Sequence, residues 1–288
     1  MLLRDYYLLT KPGIIYGNAL TATAGFFLAS RGHFDGWLLF AMLLGLSLII
    51  ASSCVINNYI DRDIDKLMER TKDRALVRGV IKKNSAMYFA GVLFILGICI
   101  LGYFTTLLAL LIALLGFIVY ILFYSLWGKR RSLYGTVIGS IAGATPPVVG
   151  YVAVTHNFDL AALLLFLILC FWQMPHFFAI AIYRFEDYTN AKVPVLPIVR
   201  GLYATKLHMV FYIIAFTISL IFLTLSGYTG RFFLGTVPLL GLIWLYLCLK
   251  GFTIHDRNGE RQWARRMFLF SIIIIFAFCV MIAIDVQK

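Results

Sequence analysis

Asn57, Asp61 and Asp65 stand four residues apart in the segment Asn57-Asn58-Tyr59-Ile60-Asp61-Arg62-Asp63-Ile64-Asp65. On a helix that turns about 100° and rises about 1.5 Å per residue they form one slowly drifting stripe, with neighbours about 6 Å apart. Asp63 lies about 200° round from Asp61 and points elsewhere. A row of oxygen donors suits a hard cation such as Mg²⁺, which takes one or two carboxylates and leaves positions for the phosphates of a substrate. The chain continues Lys66-Leu67-Met68-Glu69-Arg70-Thr71-Lys72-Asp73-Arg74. Arg70, Lys72 and Arg74 can therefore meet non-bridging phosphate oxygens, Arg as a two-pronged fork. The combination suits a diphosphate held through Mg²⁺; the alternative is a solvated loop of ordinary ion pairs.

A second charged stretch reads Tyr183-Arg184-Phe185-Glu186-Asp187-Tyr188-Thr189-Asn190-Ala191-Lys192-Val193-Pro194. Glu186 and Asp187 are candidates for a second metal, with Arg184 and Lys192 on phosphate. The alternative is a charged helix end followed by a proline-fixed loop. Just before it, Phe171-Trp172-Gln173-Met174-Pro175-His176 sets two polar side chains in an apolar run. Polar groups in such runs usually face a cavity or a partner. His176 can ligate a haem iron, act as a base or hydrogen-bond a carbonyl, or be a satisfied structural group. His156 is a weaker candidate, and His33, His208 and His255 read as loop or span-edge residues.

The elements that must position these groups are membrane helices. Of 288 residues 62% are hydrophobic and 13% charged, with mean hydropathy +0.91. Apolar runs near or above about 18 residues recur along the chain and read as spans. They are too long and uniform for barrel strands, so the backbone must satisfy itself in helices. The expected fold class is an all-α polytopic bundle of nine transmembrane helices in one domain, 1–288. The spans fall near 14–31, 37–58, 86–102, 107–127, 134–154, 159–182, 207–226, 232–250 and 267–285.

Charge sets the orientation. On this topology every Lys and Arg except Arg31, Arg231 and Lys288 falls on one side. The positive-inside rule makes that side, and the N-terminus, cytoplasmic. The net charge of +12 therefore reflects topology and anionic headgroups, with no nucleic acid implied. The first eleven residues contain Asp5 and are too short for a transit peptide, and the first apolar run lacks a cleavage site. The expected location is a bacterial inner (plasma) membrane. Cys54, Cys99, Cys170, Cys248 and Cys279 lie in apolar runs without CxxC spacing and read as buried thiols.

The two acidic-and-basic loops, 57–84 and 183–206, share the inner face, and their recurrence hints at related halves. Gly135, Gly139 and Gly143 form a small-residue face for close helix packing. Thr145-Pro146-Pro147 is expected to interrupt that helix in mid-membrane, shaping a cavity or only a kink. Lys129-Arg130-Arg131 reads as a topology anchor rather than a substrate site, and 255–266 as an interfacial amphipathic segment.

Asn-x-x-x-Asp-x-x-x-Asp at the end of the second span, in a nine-span chain, resembles the UbiA-type intramembrane prenyltransferases. Thr10-Lys11-Pro12-Gly13, the stretch 57–74, Thr145-Pro146-Pro147, the stretch 172–177 and the stretch 193–199 narrow the likeness to the protoheme IX farnesyltransferase (haem O synthase) family, over nearly the whole chain. The resemblance implies transfer of farnesyl from farnesyl diphosphate to a vinyl group of haem b, with water added, and Mg²⁺ as cofactor. It implies that Asn57, Asp61 and Asp65 are the Mg²⁺-diphosphate motif and that Asp187 opens a second one. Ala191 stands where the superfamily's second Asp would, so Glu186 or water must complete that site. His176, with Gln173 beside it, becomes the candidate haem contact. Beyond its two substrates and the bilayer, docking to a terminal oxidase or a haem-modifying enzyme is left open. Two other readings compete: prenylation of a quinone-type ring, against which the stretches at 172–177 and 193–199 count, and a carrier of phosphorylated solutes, which has no need for carboxylates beside phosphate.

Overall fold

A computed structural model describes residues 2–287, so Met1 and Lys288, the latter one of the three expected outer cations, lie outside the described residues. A short helix, α1 (Leu2–Leu9), precedes α2 (Pro12–Ser30) and α3 (Gly36–Ile60). A single turn, α4 (Arg62–Asp65), opens the first loop before α5 (Lys83–Phe104). Next come α6 (Leu107–Arg131), α7 (Gly135–Thr155) and α8 (Leu160–Tyr183). The short turns α9 (Phe185–Asn190) and α10 (Leu196–Val199) lead into α11 (Gly201–Leu225), α12 (Arg231–Lys250) and α13 (Arg257–Asp285).

Several starts are written in the residue types. Asp35, Thr106, Asp159 and Asp256 each accept a hydrogen bond from the backbone N–H three residues on, at 2.7 to 3.1 Å. Such caps satisfy one of the orphan donors that open a helix.

Among the described residues eight helices are long and apolar enough to cross a membrane. The expected ninth, α2, has 19 residues but is diluted by Gly13, Tyr16, Gly17, Asn18, Thr21 and Thr23. It still packs inside the bundle, against α7, α13 and α3. The most enclosed helix is α7, with 67% of its span buried, against 17% for α5 and 22% for α6. The last two therefore face lipid, and α7 is the axis. Its small residues permit this: a side chain at Gly143 would collide with Gln173 of α8, and one at Gly150 with the Ala22 carbonyl of α2.

Three expectations need correction. Pro146 and Pro147 do not interrupt α7, which runs helically through them. Pro146 has no N–H for the Ala142 carbonyl, and the Thr145 hydroxyl donates to it instead, at 2.9 Å. The segment 255–266 is not a separate interfacial element, because from Arg257 onward it is the first turns of α13. The second loop ends sooner than expected: residues 201–206 already belong to α11.

Candidate active site

The stripe survives the end of α3. Asp61 N–H donates to the Asn57 carbonyl and Asp65 N–H to the Asp61 carbonyl, both at 2.8 Å, so the four-residue register carries through into α4. All three side chains are buried, Asp61 completely. Asp63 points outward as the spacing requires.

Burying carboxylates is costly unless they are paired, and the partners come from the same loop and from the end of α6. Lys129, at the end of α6, donates to Asp61 Oδ2 at 2.5 Å. Asn57 Nδ2 donates to the same oxygen at 2.9 Å and to Ser125 Oγ at 2.8 Å. Asp65 Oδ2 accepts from Arg74 at 2.5 Å, and the same Arg74 nitrogen donates to Asn58 Oδ1 at 2.9 Å. Asn58 Nδ2 donates to the Leu9 carbonyl at 2.7 Å, fastening the end of α1. Lys11 follows in a left-handed conformation, φ 54°, and donates to Asn57 Oδ1. Arg130 forks onto Asp63 at 2.6 and 2.8 Å and lies 3.8 Å from Asp61 Oδ1. That Asp61 oxygen is buried and has no hydrogen-bond partner.

The geometry of α6 makes this possible. From Val119 to Gly128 it is wound as a π-helix, a form that often accompanies functional sites. Ser125 Oγ donates to the Tyr120 carbonyl at 2.7 Å, five residues back, and so stays in place to accept from Asn57. At the end of this stretch Gly128 touches Gly135 backbone to backbone, which brings Lys129 and Arg130 over the stripe. Arg130 holds Asp63 down to a pKa of about 2. Loss of water around Lys11, with Arg74 and Lys129 nearby, lowers its pKa to about 8.

The second loop docks onto the first. Ile64 and Met68 pack with Ala191 and Val193, with Tyr188 and Val195 alongside. Asp187 Oδ1 accepts the Glu69 N–H at 3.0 Å, and Arg184 lies 3.8 Å from Asp187 Oδ2. Ala191 is therefore part of an apolar plug, and a carboxylate there would be buried among Ile64, Met68 and Val193. Glu186, Arg70, Lys72 and Lys192 are exposed, and Lys72 pairs with Glu69 at 2.6 Å. Among the described residues no three His, Cys, Asp or Glu gather as a ready metal cluster. Glu186 and Asp187 thus do not join Asn57, Asp61 and Asp65 in one first coordination sphere, because the plug and the Glu69 backbone stand between the loops.

In α8, Gln173 donates to the Ser140 and Leu169 carbonyls at 3.2 and 3.0 Å, and its other face rests on Gly143. The carboxamide nitrogen thus ties α8 to α7 through the Ser140 carbonyl. His176 Nδ1 meets Ser271 Oγ of α13 at 2.7 Å, and the ring stacks on Trp172 at 4.8 Å. Sequence reasoning missed Asn58, Ser125 and the cations of 129–130. Charge at a span end signals topology first, and only the tertiary crossing shows it paired. Lys11 and Asn58 lay inside quoted motifs and carried a signal; Ser125 carried none.

The sequence and the fold that build this site match a known class. The model of the UbiA prenyltransferase family matches residues 18–272. A protein of Chromohalobacter salexigens named protoheme IX farnesyltransferase is 50% identical over 286 residues, covering 99% of this chain and 96% of its own length. One of Yersinia pestis with the same name is 48% identical, covering 99% and 95%. Among solved structures, one concerning digeranylgeranylglyceryl phosphate synthase superposes with TM-score 0.81 at 20% identity, covering 98% of each chain. A UbiA homologue from Archaeoglobus fulgidus bound to GPP and Mg²⁺ superposes with TM-score 0.71 at 17% identity, covering 97% and 99%. The chain belongs to the UbiA prenyltransferase family, within the branch named protoheme IX farnesyltransferase. It is a multi-pass membrane enzyme, a prenyltransferase.

Proposed function

We propose that this chain transfers the farnesyl group of farnesyl diphosphate to a vinyl group of haem b, with water added to give haem O. The names of its half-identical relatives support the substrate pair. The lopsided distribution of Lys and Arg supports a reaction at the cytoplasmic rim of a bacterial inner membrane, with nine spans once α2 is counted.

One observation carries the leaving-group side of this reading: Asp61 Oδ1 is buried and accepts no hydrogen bond, with Arg130 3.8 Å away. With carboxylate and carboxamide oxygens beside it, the donor set fits Mg²⁺. Asn57, Asp61 and Asp65 would hold the ion, while Asp187 steadies the first loop through the Glu69 N–H. When bound, Mg²⁺ supplies positive charge against the diphosphate as it departs.

The chain's own residues do the rest. Lys129 and Arg74 pair with the carboxylates and Lys11 with the Asn57 carboxamide in the metal-free protein, and beside a diphosphate the same groups face its oxygens. Arg70, Lys72, Arg184 and Lys192 form the outer, solvent-facing collar for that anion. The allylic C–O bond breaks toward this charge. The apolar bundle shields the cation left behind from early quenching, and placing the weakly nucleophilic vinyl carbon against it supplies much of the rate. His176, its Nδ1 engaged by Ser271, offers its other ring nitrogen to haem. A terminal oxidase or a haem-modifying enzyme would receive the product.

The test is direct. Membranes holding this protein receive haem b, farnesyl diphosphate and Mg²⁺, and the pigments are weighed by mass spectrometry. A haem carrying farnesyl and water is expected. Unchanged haem alongside a prenylated quinone precursor, or Asp61→Ala acting like wild type, would remove the reading.

A further inference from the structure

A second cluster of buried charge lies away from the stripe, where α11, α12 and α13 meet. Lys206 of α11 donates to Glu260 Oε1 of α13 at 2.5 Å and to the Gly251 carbonyl at 2.6 Å. Its ammonium lies 5.2 Å from the ring centroid of Trp263 and 6.0 Å from that of Phe252. The two side chains are only 5% and 9% exposed. They line a cavity of about 230 Å³ together with Leu202, Tyr203, Phe252 and His255.

The cluster is unfinished on one side. Glu260 Oε2 is buried and has no hydrogen-bond partner, although a buried carboxylate normally fills its acceptor sites. Lys206 is already answered by a carboxylate, a carbonyl and two ring faces. What Glu260 Oε2 lacks is a donor. An anion there would meet Glu260 and be repelled, whereas a primary ammonium would complete the carboxylate through a charge-assisted bond and lie against the aromatic wall.

The surroundings are those of a membrane surface. Leu207 and Leu249 are about half exposed, at 48% and 50%, beside the exposed cations Lys250 and Arg257. Aromatic and basic side chains together at helix ends mark the headgroup layer, and those cations can meet a phosphodiester.

We propose that this cavity is a binding site for a primary ammonium group, supplied by an aminophospholipid headgroup. The site is separate from the prenyl-transfer stripe, and its test does not depend on turnover.

The experiment uses the purified full chain, stripped of lipid and offered equal amounts of phosphatidylethanolamine, phosphatidylcholine and phosphatidylglycerol, with retained lipid read by native mass spectrometry. Phosphatidylethanolamine is expected to be kept about tenfold or more over the other two. Glu260→Gln keeps an oxygen for Lys206 but puts an NH₂ where the ligand's donor belongs, and it should erase that preference. Tyr203→Ser, at an exposed position that leaves the ion pair intact, should weaken it. Equal retention of the three lipids overturns the site, as does an unchanged preference in Glu260→Gln. Saturable binding of free ethanolamine without retention of the lipid would keep the ammonium site and remove the bilayer as its source.

Discussion

The stripe that closes α3 and the loop that follows α8 carry similar residues and differ in how completely water has been removed from them. Asp61 and Asp65 are sealed in, and each is answered by a cation from elsewhere in the chain: Lys129 from the end of α6 and Arg74 from the far side of the first loop. Glu186 stays in solvent, and Asp187 finds a backbone N–H and a loose Arg184. The same acidic-basic composition therefore yields a charged core in one place and a cover in the other. The cause is support. The stripe continues a 25-residue helix under the π-wound part of α6, while the second loop is held to the first by one small apolar cluster and the Asp187–Glu69 hydrogen bond.

The sharpest test of that difference is Asp61→Asn. It preserves shape and removes the charge that faces Lys129, so kcat/KM for farnesyl transfer should fall about 10²- to 10³-fold. The chain should still be recovered from membranes, because the bundle's apolar core is untouched. Activity within a few-fold of wild type would mean that the stripe is structural. Lys129→Met attacks the same pair from the other helix and should cost about 10²-fold in kcat, with Lys129→Arg recovering part of it; a topology anchor would instead show altered orientation and normal turnover per correctly inserted molecule.

The second loop should respond less. Asp187→Asn weakens the link to Glu69 and should lower kcat/KM about tenfold, on the scale of one lost charge-assisted hydrogen bond. Glu186→Gln, at an exposed position, should stay within about twofold, as expected of surface charge. Equal and large losses in both variants would show a full second metal centre, and the comparison between the loops would fail.

How much of this was legible in the residues follows the same division. Long apolar runs announced the spanning helices, and the four-residue spacing announced the stripe, because both depend on local periodicity. The pairing of Lys129 with Asp61 did not show, since it joins residues that only the crossing of α6 over α3 brings together. Nor did the π-winding, which leaves no compositional mark. Pro146-Pro147 misled because proline forbids one hydrogen bond without forbidding the substitute that Thr145 supplies. Ala191 is a visible departure in the sequence, but its packing with Ile64 and Met68 exists only in three dimensions. Lys206 and Glu260 fall, by sequence, in a loop and in an amphipathic segment, and the fold makes them a buried couple.

The smallest effect concerns Lys11, which ties the chain entering α2 to the stripe. Its pKa in the fold is about 8, against 10.5 for an ordinary lysine, chiefly because packing removes water; Arg74 and Lys129 add to the fall, and Asp61 opposes it. The sign follows from linkage. Between pH 8 and 10.5 the unfolded chain binds the Lys11 proton more tightly than the folded one, so stability from this residue rises with pH across that window. Below pH 8 both states are protonated and the full penalty applies. In metal-free protein kept so by a chelator, Lys11→Met should be more stable than wild type by on the order of 1 kcal/mol near neutral pH, after allowing for partial exposure. The gap should close as pH climbs from 8 toward 10. Thermal melts of the two proteins side by side read this difference and cancel the other lysines that titrate there. A gap that stays flat with pH would mean Lys11 keeps its water, and the cationic side of the stripe would then be more open than its carboxylates.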